Sequence, residues 1–599
     1  MRSPARVLNS LTKHSQTTEY RFERLYRILF NEEMYYLAYQ RIYAKPGNMT
    51  QGADGETIDR MSLPRIEKLI LSLKDESYSP QPSRRVHIPK KNGKTRPLGV
   101  PSFDDKLVQE VVRMVLEAIY EGHFEDTSHG FRPHRSCHTA LNAVQKTFTG
   151  KKWFIEGDIK GFFDNVNHDI LIDILKERIS DERFIRLIRK FLKAGYLEQW
   201  QFHGTYSGMP QGGIISPILA NIYLDKLDKY MKEYASKFDK GDRGRQQREY
   251  EVLTYQKRLV MRELKTATNN VERKVLVKRL KEIDKTRSAM PCFDPMDGNF
   301  KRLKYVRYAD DFLIGIIVSK VKIKDDIKRF LADRLALELS DEKTLVTHTE
   351  KPAKFLGYEV TVRKSNLQKR NKRGSLSRVY GNKVRLKVTT EVIKKKLLEL
   401  GVLKFSYHNG HEQWIPKHRS ELINNDDLEI LDSYNAEIRG FYNYYSIANN
   451  ASELNTFHYI MQYSMYKTFA GKYRTTVRRI CRKYKRNGVF TVGYTVKNGK
   501  AKERRLYNEG FKRKRPSYDR SIDRCPNPMP GVSTTSLIDR LKARKCELCG
   551  ATDNLVMHHV RKLGELKGKE NWEKLMIARR RKTMAVCGSC HQKIHHGTF

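Results

Sequence analysis

Residues 302–318, RLKYVRYADDFLIGIIV, set two adjacent acids, Asp310 and Asp311, inside an otherwise apolar, strand-forming run. The spacing predicts a β-hairpin with Ala309 and Asp310 at its tip, its arms fixed in a core by Val306, Phe312 and Ile314. Adjacent acids at such a tip repel one another unless cations lie between them. A second apolar strand, in WFIEGDIKGFFDN (153–165), ends on Asp158, which can supply a third carboxylate. Carboxylates on rigid elements suit paired magnesium ions, which prefer oxygen donors and keep waters.

A chain of 599 residues is too long for one core, so several domains are expected. With 39% hydrophobic and 31% charged residues it reads as globular, not disordered. The 116 Lys and Arg against 69 Asp and Glu leave a net charge of +47, which predicts a polyanionic partner. No strongly apolar helix face accompanies that charge, so the partner is nucleic acid and not a membrane surface. No apolar run of about 18 residues predicts a membrane span. The basic segment Met1–Gln16 has no apolar centre and is not a secretory signal, although its Arg/Ser-rich, acid-poor composition leaves an organellar transit peptide open.

Along the chain, RRVHIPKKNGKTRPLGVP (84–101) predicts two strands around a basic turn, and helices are expected at about 105–121 and 168–179. GMPQGG (208–213) leads into an apolar helix. Residues 233–290 are nearly all polar or charged with helical spacing and predict an inserted helical hairpin. KFLGYEV (354–360) predicts a strand, and residues 390–475 predict helices. Residues 461–530 carry 20 basic and 4 acidic residues, interleaved with Tyr473, Tyr484, Phe490, Tyr494, Tyr507 and Tyr518. Such a stretch would bind phosphate through charge and could stack aromatic rings on unpaired bases. Pro and Ser near 516–534 suggest a linker.

The tail places Cys546 and Cys549, then His558 and His559, then Cys587, Cys590, His591 and His595 within about 50 residues. Two CxxC pairs point to one tetrahedral zinc in a reducing compartment, which would supply much of the folding energy of so short a domain. His591 and His595, four apart, share one face of a helix. A zinc ribbon that only binds nucleic acid is the other reading of these residues.

In order, GADGETID, IPKKNGKTRPLGVPSFDDKLVQ, SHGFRPHRSCHTAL, FIEGDIKGFFDNVNH, GMPQGGIISPILANIYLDKLD, YVRYADDF, LSDEKT and FLGY cover about residues 50–360. This ordered set resembles the reverse transcriptases encoded by mobile group II introns, in their four-domain form. The resemblance implies a multidomain α+β right-hand polymerase. Fingers and palm would span 1–370 with a helical insertion at about 233–300, and a helical thumb or maturase domain 385–475. A basic DNA-binding domain would span 476–536, and a ββα-metal HNH endonuclease containing the zinc site 537–599. It implies that Asp158, Asp310 and Asp311 bind magnesium and that Lys90 and Arg96 grip the incoming triphosphate. Gln211 and Lys343 would line the nucleotide pocket, and Phe163 would exclude a 2′-hydroxyl. In the tail, His559 would be the general base and His558, His591 and His595 the ligands of a second magnesium. The family's usual Asn, nine residues before the last-helix His, is Lys582 here, which puts nicking efficiency in question. The partners implied are the intron RNA, held as a ribonucleoprotein, a double-stranded DNA target, an RNA template with a DNA primer, and dNTPs. The setting implied is the bacterial cytoplasm. A maturase with a dead polymerase is disfavoured by the intact acids, and another class of reverse transcriptase by the tail.

Overall fold

The computed structural model describes residues 3–43, 47–89, 95–199, 201–294, 297–317, 321–363, 367–370, 374, 376–378, 382–495, 501–518 and 537–597. The chain is organised around two large apolar cores. Helix α1 (Glu32–Ile42) starts on Asn31, whose side chain caps the Glu33 amide at 3.2 Å, and buries Met34, Tyr35, Ala38, Tyr39 and Ile42. Strands β1 (Ser83–Pro89) and β2 (Thr95–Val100) pair antiparallel, as the basic-turn reading predicts. Helix α2 (Phe103–Tyr120) is buried nearly all round, with Leu107, Val108, Val111, Val115, Leu116 and Ile119 in the first core. A helix buried on nearly every side, its polar residues Asp105, Lys106, Gln109 and Glu110 included, can only sit inside a larger domain.

Beside α2 lie β3 (Trp153–Asp158) and helix α3 (Ser216–Phe238), followed by β4 (Arg302–Tyr308), β5 (Asp311–Ile317) and β6 (Leu345–His348). The four strands form one antiparallel sheet in the order β4-β5-β3-β6. Tyr308 pairs with Asp311, so Ala309 and Asp310 form the two-residue tip expected from sequence. Ala309 takes φ 56° there, a left-handed conformation that costs a non-glycine residue about 1–2 kcal/mol.

The polar stretch after α3 is a helical hairpin, Arg248–Thr266 against Asn270–Ala289, with its own small core of Val260, Ala267, Leu276 and Ile283. Its base is closed where Lys240 and Lys301 exchange two backbone hydrogen bonds of 3.0 Å. Two other expectations need correction. The 354–360 strand is a tight hairpin, Ala353–Phe355 against Tyr358–Arg363, because Leu356 and Gly357 both take positive φ and reverse the chain. The 390–475 stretch is interrupted by a second hairpin, Leu403–His408 against His411–Pro416, which turns on Asn409 and Gly410. Asn-Gly is the strongest two-residue hairpin signal, and it overrides the helical spacing on either side.

Helices α4 (Asp427–Tyr445) and α5 (Leu454–Lys472) carry the second core. Ile480, Tyr484, Phe490, Val492, Leu506, Tyr507 and Phe511 of the basic stretch are buried in that same core. This corrects the base-stacking expectation for Tyr484, Phe490 and Tyr507. The hairpin Val489–Thr495/Ala501–Arg505 needs one apolar face, and those rings help form and cover it; Tyr473 and Tyr518 remain exposed. The tail folds as β7 (Leu555–His559) antiparallel to β8 (Thr583–Cys587), with helix α6 (Gly588–His596) packed on both. Leu537, Ile538, Leu541, Met557 and Ala585 of the tail belong to the first core, so the tail is docked on the N-terminal region.

Candidate active sites

Asp158 ends β3 directly opposite Asp311, the first residue of β5, and Asp310 stands at the adjoining tip. Loss of water around the Asp311 carboxyl, then the like charges of Asp310 and Asp158, push it up to about 7. Asp310 is raised for the same reasons, burial first and Asp158 next among the charges. Carboxyls that resist ionisation together are ones that divalent cations would relieve, so the residues present fit such ions. Lys343 pairs with Asp158 at 2.8 Å.

The tip is anchored from behind. Arg307, fully buried, donates to the Ala309 carbonyl at 2.8 Å, to Ser128 Oγ at 2.7 Å and to the Asp228 carboxylate at 2.8 and 2.5 Å. Tyr305 donates to the same Asp228 at 2.9 Å. Gly130 lies against the turn, where a Cβ would collide with the Ala309 backbone nitrogen. None of Arg307, Asp228 and Gly130 was singled out from sequence. The available signal was an arginine inside an apolar strand, two residues before the turn.

Among the residues expected to bind nucleotide, Arg96 of β2 donates Nε to Gln211 Oε1 at 2.9 Å, and the Gly99 amide donates to the Gln211 carbonyl at 2.7 Å. Gln109, buried in α2, accepts from the Ile214 amide at 2.8 Å and fixes the far end of the same loop. Phe163 is half-buried, and its carbonyl accepts from the Met209 amide at 2.6 Å. Arg96, Gln211 and Phe163 are thus tied to one loop, while Lys90 lies outside the described residues.

In the tail, Cys546, Cys549, Cys587 and Cys590 bring their four sulfurs within 4.8 Å of one another, with Cys549 and Cys587 3.6 Å apart. That spacing suits four thiolates around one tetrahedral ion. His558, His591 and His595 form a second compact cluster, together with Asp59 from the N-terminal region. His558 is buried and neither of its ring nitrogens has a hydrogen-bond partner, which fits a metal ligand. His559 is buried beside them, and burial pushes it down to about 4. Its Nδ1 donates to the Met557 carbonyl at 3.1 Å, leaving Nε2 as the basic nitrogen. A backbone carbonyl therefore orients this histidine.

Three family matches fall on these regions: reverse transcriptase (RNA-dependent DNA polymerase) on residues 88–255, type II intron maturase on 382–515, and AI2M/AI1M-like HNH endonuclease on 546–591. The group II intron-encoded protein LtrA of Lactococcus lactis subsp. cremoris is 44% identical over 606 aligned residues that cover all of both chains. This chain is a group II intron-encoded protein. A 91 kDa protein in the cob intron of Schizosaccharomyces pombe is 35% identical, over 95% of this chain and 69% of its own length. Protein YkfC of Escherichia coli is 34% identical over 58% of this chain and 84% of its own. As a group II intron-encoded protein, the chain is a reverse transcriptase with maturase and HNH endonuclease domains, the combination that serves intron splicing and retrohoming. Its fold is the mixed α/β right-hand polymerase followed by an HNH domain. Among the described residues no helix is long and apolar enough to cross a membrane.

Proposed function

We propose that Asp158, Asp310 and Asp311 hold two magnesium ions at the open end of the β4-β5-β3-β6 sheet, where the protein copies its intron RNA into DNA. Bound there, such ions would activate the primer 3′-hydroxyl and steady the leaving pyrophosphate. The observation that carries this reading is the pairing of Asp158 opposite Asp311 with both carboxyls crowded against Asp310. Arg96 faces the triphosphate of the incoming dNTP, since cationic donors match charge that grows on phosphate, and Lys90, six residues earlier in sequence, is the second cation assigned to it. Gln211, held by Arg96, borders the nucleotide, and the Phe163 ring fills the space that a ribose 2′-hydroxyl needs. Lys343 balances the charge of Asp158 and sits beside the same pocket.

In the tail, the four cysteines hold a structural zinc, and His558, His591 and His595 hold a magnesium next to the base His559. The base takes a proton from water on Nε2, and the target is one strand of duplex DNA. The net charge of +47 gives the affinity for intron RNA and target DNA, and the relation to a lactococcal protein supports a bacterial cytoplasmic setting.

The test is primer extension on an RNA template with Asp310→Asn and Asp311→Asn. Both variants are expected to fall below about 1% of the wild-type rate while binding RNA with unchanged affinity, because the cations act on the transition state and the basic surface supplies binding. Extension above a few per cent in either variant removes that acid from the site.

A further inference from the structure

Two side chains from the N-terminal region enter the HNH centre. Asp59 follows the turn GADGETI and is 500 residues distant in sequence from His559. Its Oδ1 accepts from the His559 amide at 2.9 Å, and its Oδ2 accepts from His591 Nε2 at 3.0 Å and His595 Nε2 at 2.9 Å. His558 Nδ1 lies 3.6 Å from Oδ1. Tyr39, from α1, donates its hydroxyl to Nε2 of His559 at 3.0 Å. The docking beneath these contacts is extensive: the Met557 amide donates to the Met61 carbonyl at 2.8 Å, and Lys542 pairs with Glu33 at 3.1 Å. Leu537, Ile538 and Leu541 are buried on the same side.

The spacing of the cluster is that of a coordination shell. Ligands bound to one ion at about 2.1 Å stand about 3.0 Å apart at right angles and about 3.4 Å apart in a tetrahedron. Asp59 Oδ2 lies 3.0 and 2.9 Å from two histidine nitrogens, about 0.5 Å inside the tetrahedral separation, and one ligand atom from each of the four residues lies within 4.8 Å of the others. The unpartnered ring nitrogens of buried His558 supply an independent indication that something binds there. A hydrogen-bonded histidine cluster alone would leave no reason for one member to be sealed in without a hydrogen bond.

We propose that Asp59 is a fourth protein ligand of the nuclease cation, contributed across the chain from the N-terminal region. In the docked state three histidines and one carboxylate can complete a four-coordinate shell around a transition ion, with no position for a DNA phosphate; the magnesium proposed above for cleavage takes more ligands and so needs Asp59 to have left. Tyr39 meanwhile caps the basic nitrogen of His559. The cation therefore latches the nuclease shut against the N-terminal region, and DNA must displace Asp59 to be cut. This inference rests on the reading of the three histidines as ligands.

The experiment is a Co2+ titration of the full-length, zinc-loaded protein, followed by visible ligand-field absorption and by amide hydrogen exchange. Four-coordinate Co2+ absorbs far more strongly than six-coordinate Co2+, so the spectrum reports the shell directly. The wild type is expected to give the strong four-coordinate spectrum and, on Co2+ addition, slower exchange at the Met557 and His559 amides. Asp59→Asn keeps the size and one acceptor of the side chain; it should bind Co2+ at least tenfold more weakly, lose the strong bands and show no Co2+-induced protection. Asp59→Ala should behave the same way. Wild-type affinity and spectrum in Asp59→Asn overturn the proposal, as does faster exchange at those amides when Co2+ binds wild type, since that means the ion expels Asp59. His595→Ala separates the two levels. If it loses Co2+ while Asp59→Asn does not, only the latch is wrong; if it also binds as wild type, the histidine ligand reading falls with it.

Discussion

Arg307 sets how the palm acids are presented. Its guanidinium is fully buried, neutralised by Asp228, and spends one donor on the carbonyl of Ala309, the left-handed residue at the tip. Removing one partner of a buried ion pair leaves an unpaired charge, so Arg307→Met should destabilise the protein by about 3–5 kcal/mol in denaturant melts. Arg307→Met/Asp228→Leu should recover most of that loss, because no charge is stranded, yet extend primers poorly because the tip is unanchored. A double variant that polymerises at the wild-type rate reduces Arg307 to a packing residue. Phe163 makes a different prediction. Phe163→Ala should relax ribo/deoxy discrimination by roughly 10–100-fold, the range over which a pocket rejects an added hydroxyl. An unchanged ratio in competitive incorporation assigns the ring to the core it already touches. At this scale the sequence shows acids, cysteines and histidines well, because their chemistry is local. It hides Asp59 and Tyr39, whose meaning depends on a docking between residues about 500 apart, and Gly130, whose need for no side chain comes from a turn it does not adjoin.

Elements were legible where one period or one turn dominated. The apolar run around Asp310 and Asp311 reads as a hairpin, and α2 and α3 carry apolar residues at helical spacing. The reading failed at Leu356–Gly357 and at Asn409–Gly410, where two residues with positive φ reverse the chain inside stretches whose wider composition suggests one strand or one helix. It also took buried tyrosines of 477–511 for base-stacking surface, since a ring in a basic stretch looks the same whether it faces solvent or core. The helical hairpin after α3 allows a test at this scale. Its own core is small, and Lys240 and Lys301 already pair at its base. Replacing residues 243–297 with a short Gly/Ser linker should therefore leave the palm sheet intact and primer extension within about threefold of wild type, because closing a loop between adjacent ends costs little. Loss of the cooperative melt would show that the insertion supports the palm, through contacts such as that of Gln368 with the Lys285 carbonyl.

At the scale of the whole molecule, one positively charged chain holds two chemically unlike centres. The palm offers carboxylates on a sheet end; the tail offers histidines on a strand and helix, with a thiolate cluster beside them. The charge of +47 should serve both, by drawing nucleic acid with an affinity that falls steeply as salt rises. Because the centres share no residue, they should fail separately. The measurement that tests this most directly uses the protein assembled with its intron RNA on a duplex DNA target, scored in one gel for second-strand nicking and for cDNA synthesis. The account predicts that Asp311→Asn nicks the second strand and makes no cDNA. It predicts that His559→Ala fails to nick, yet extends a primer on a target that was nicked beforehand. Loss of both activities in either variant would contradict it.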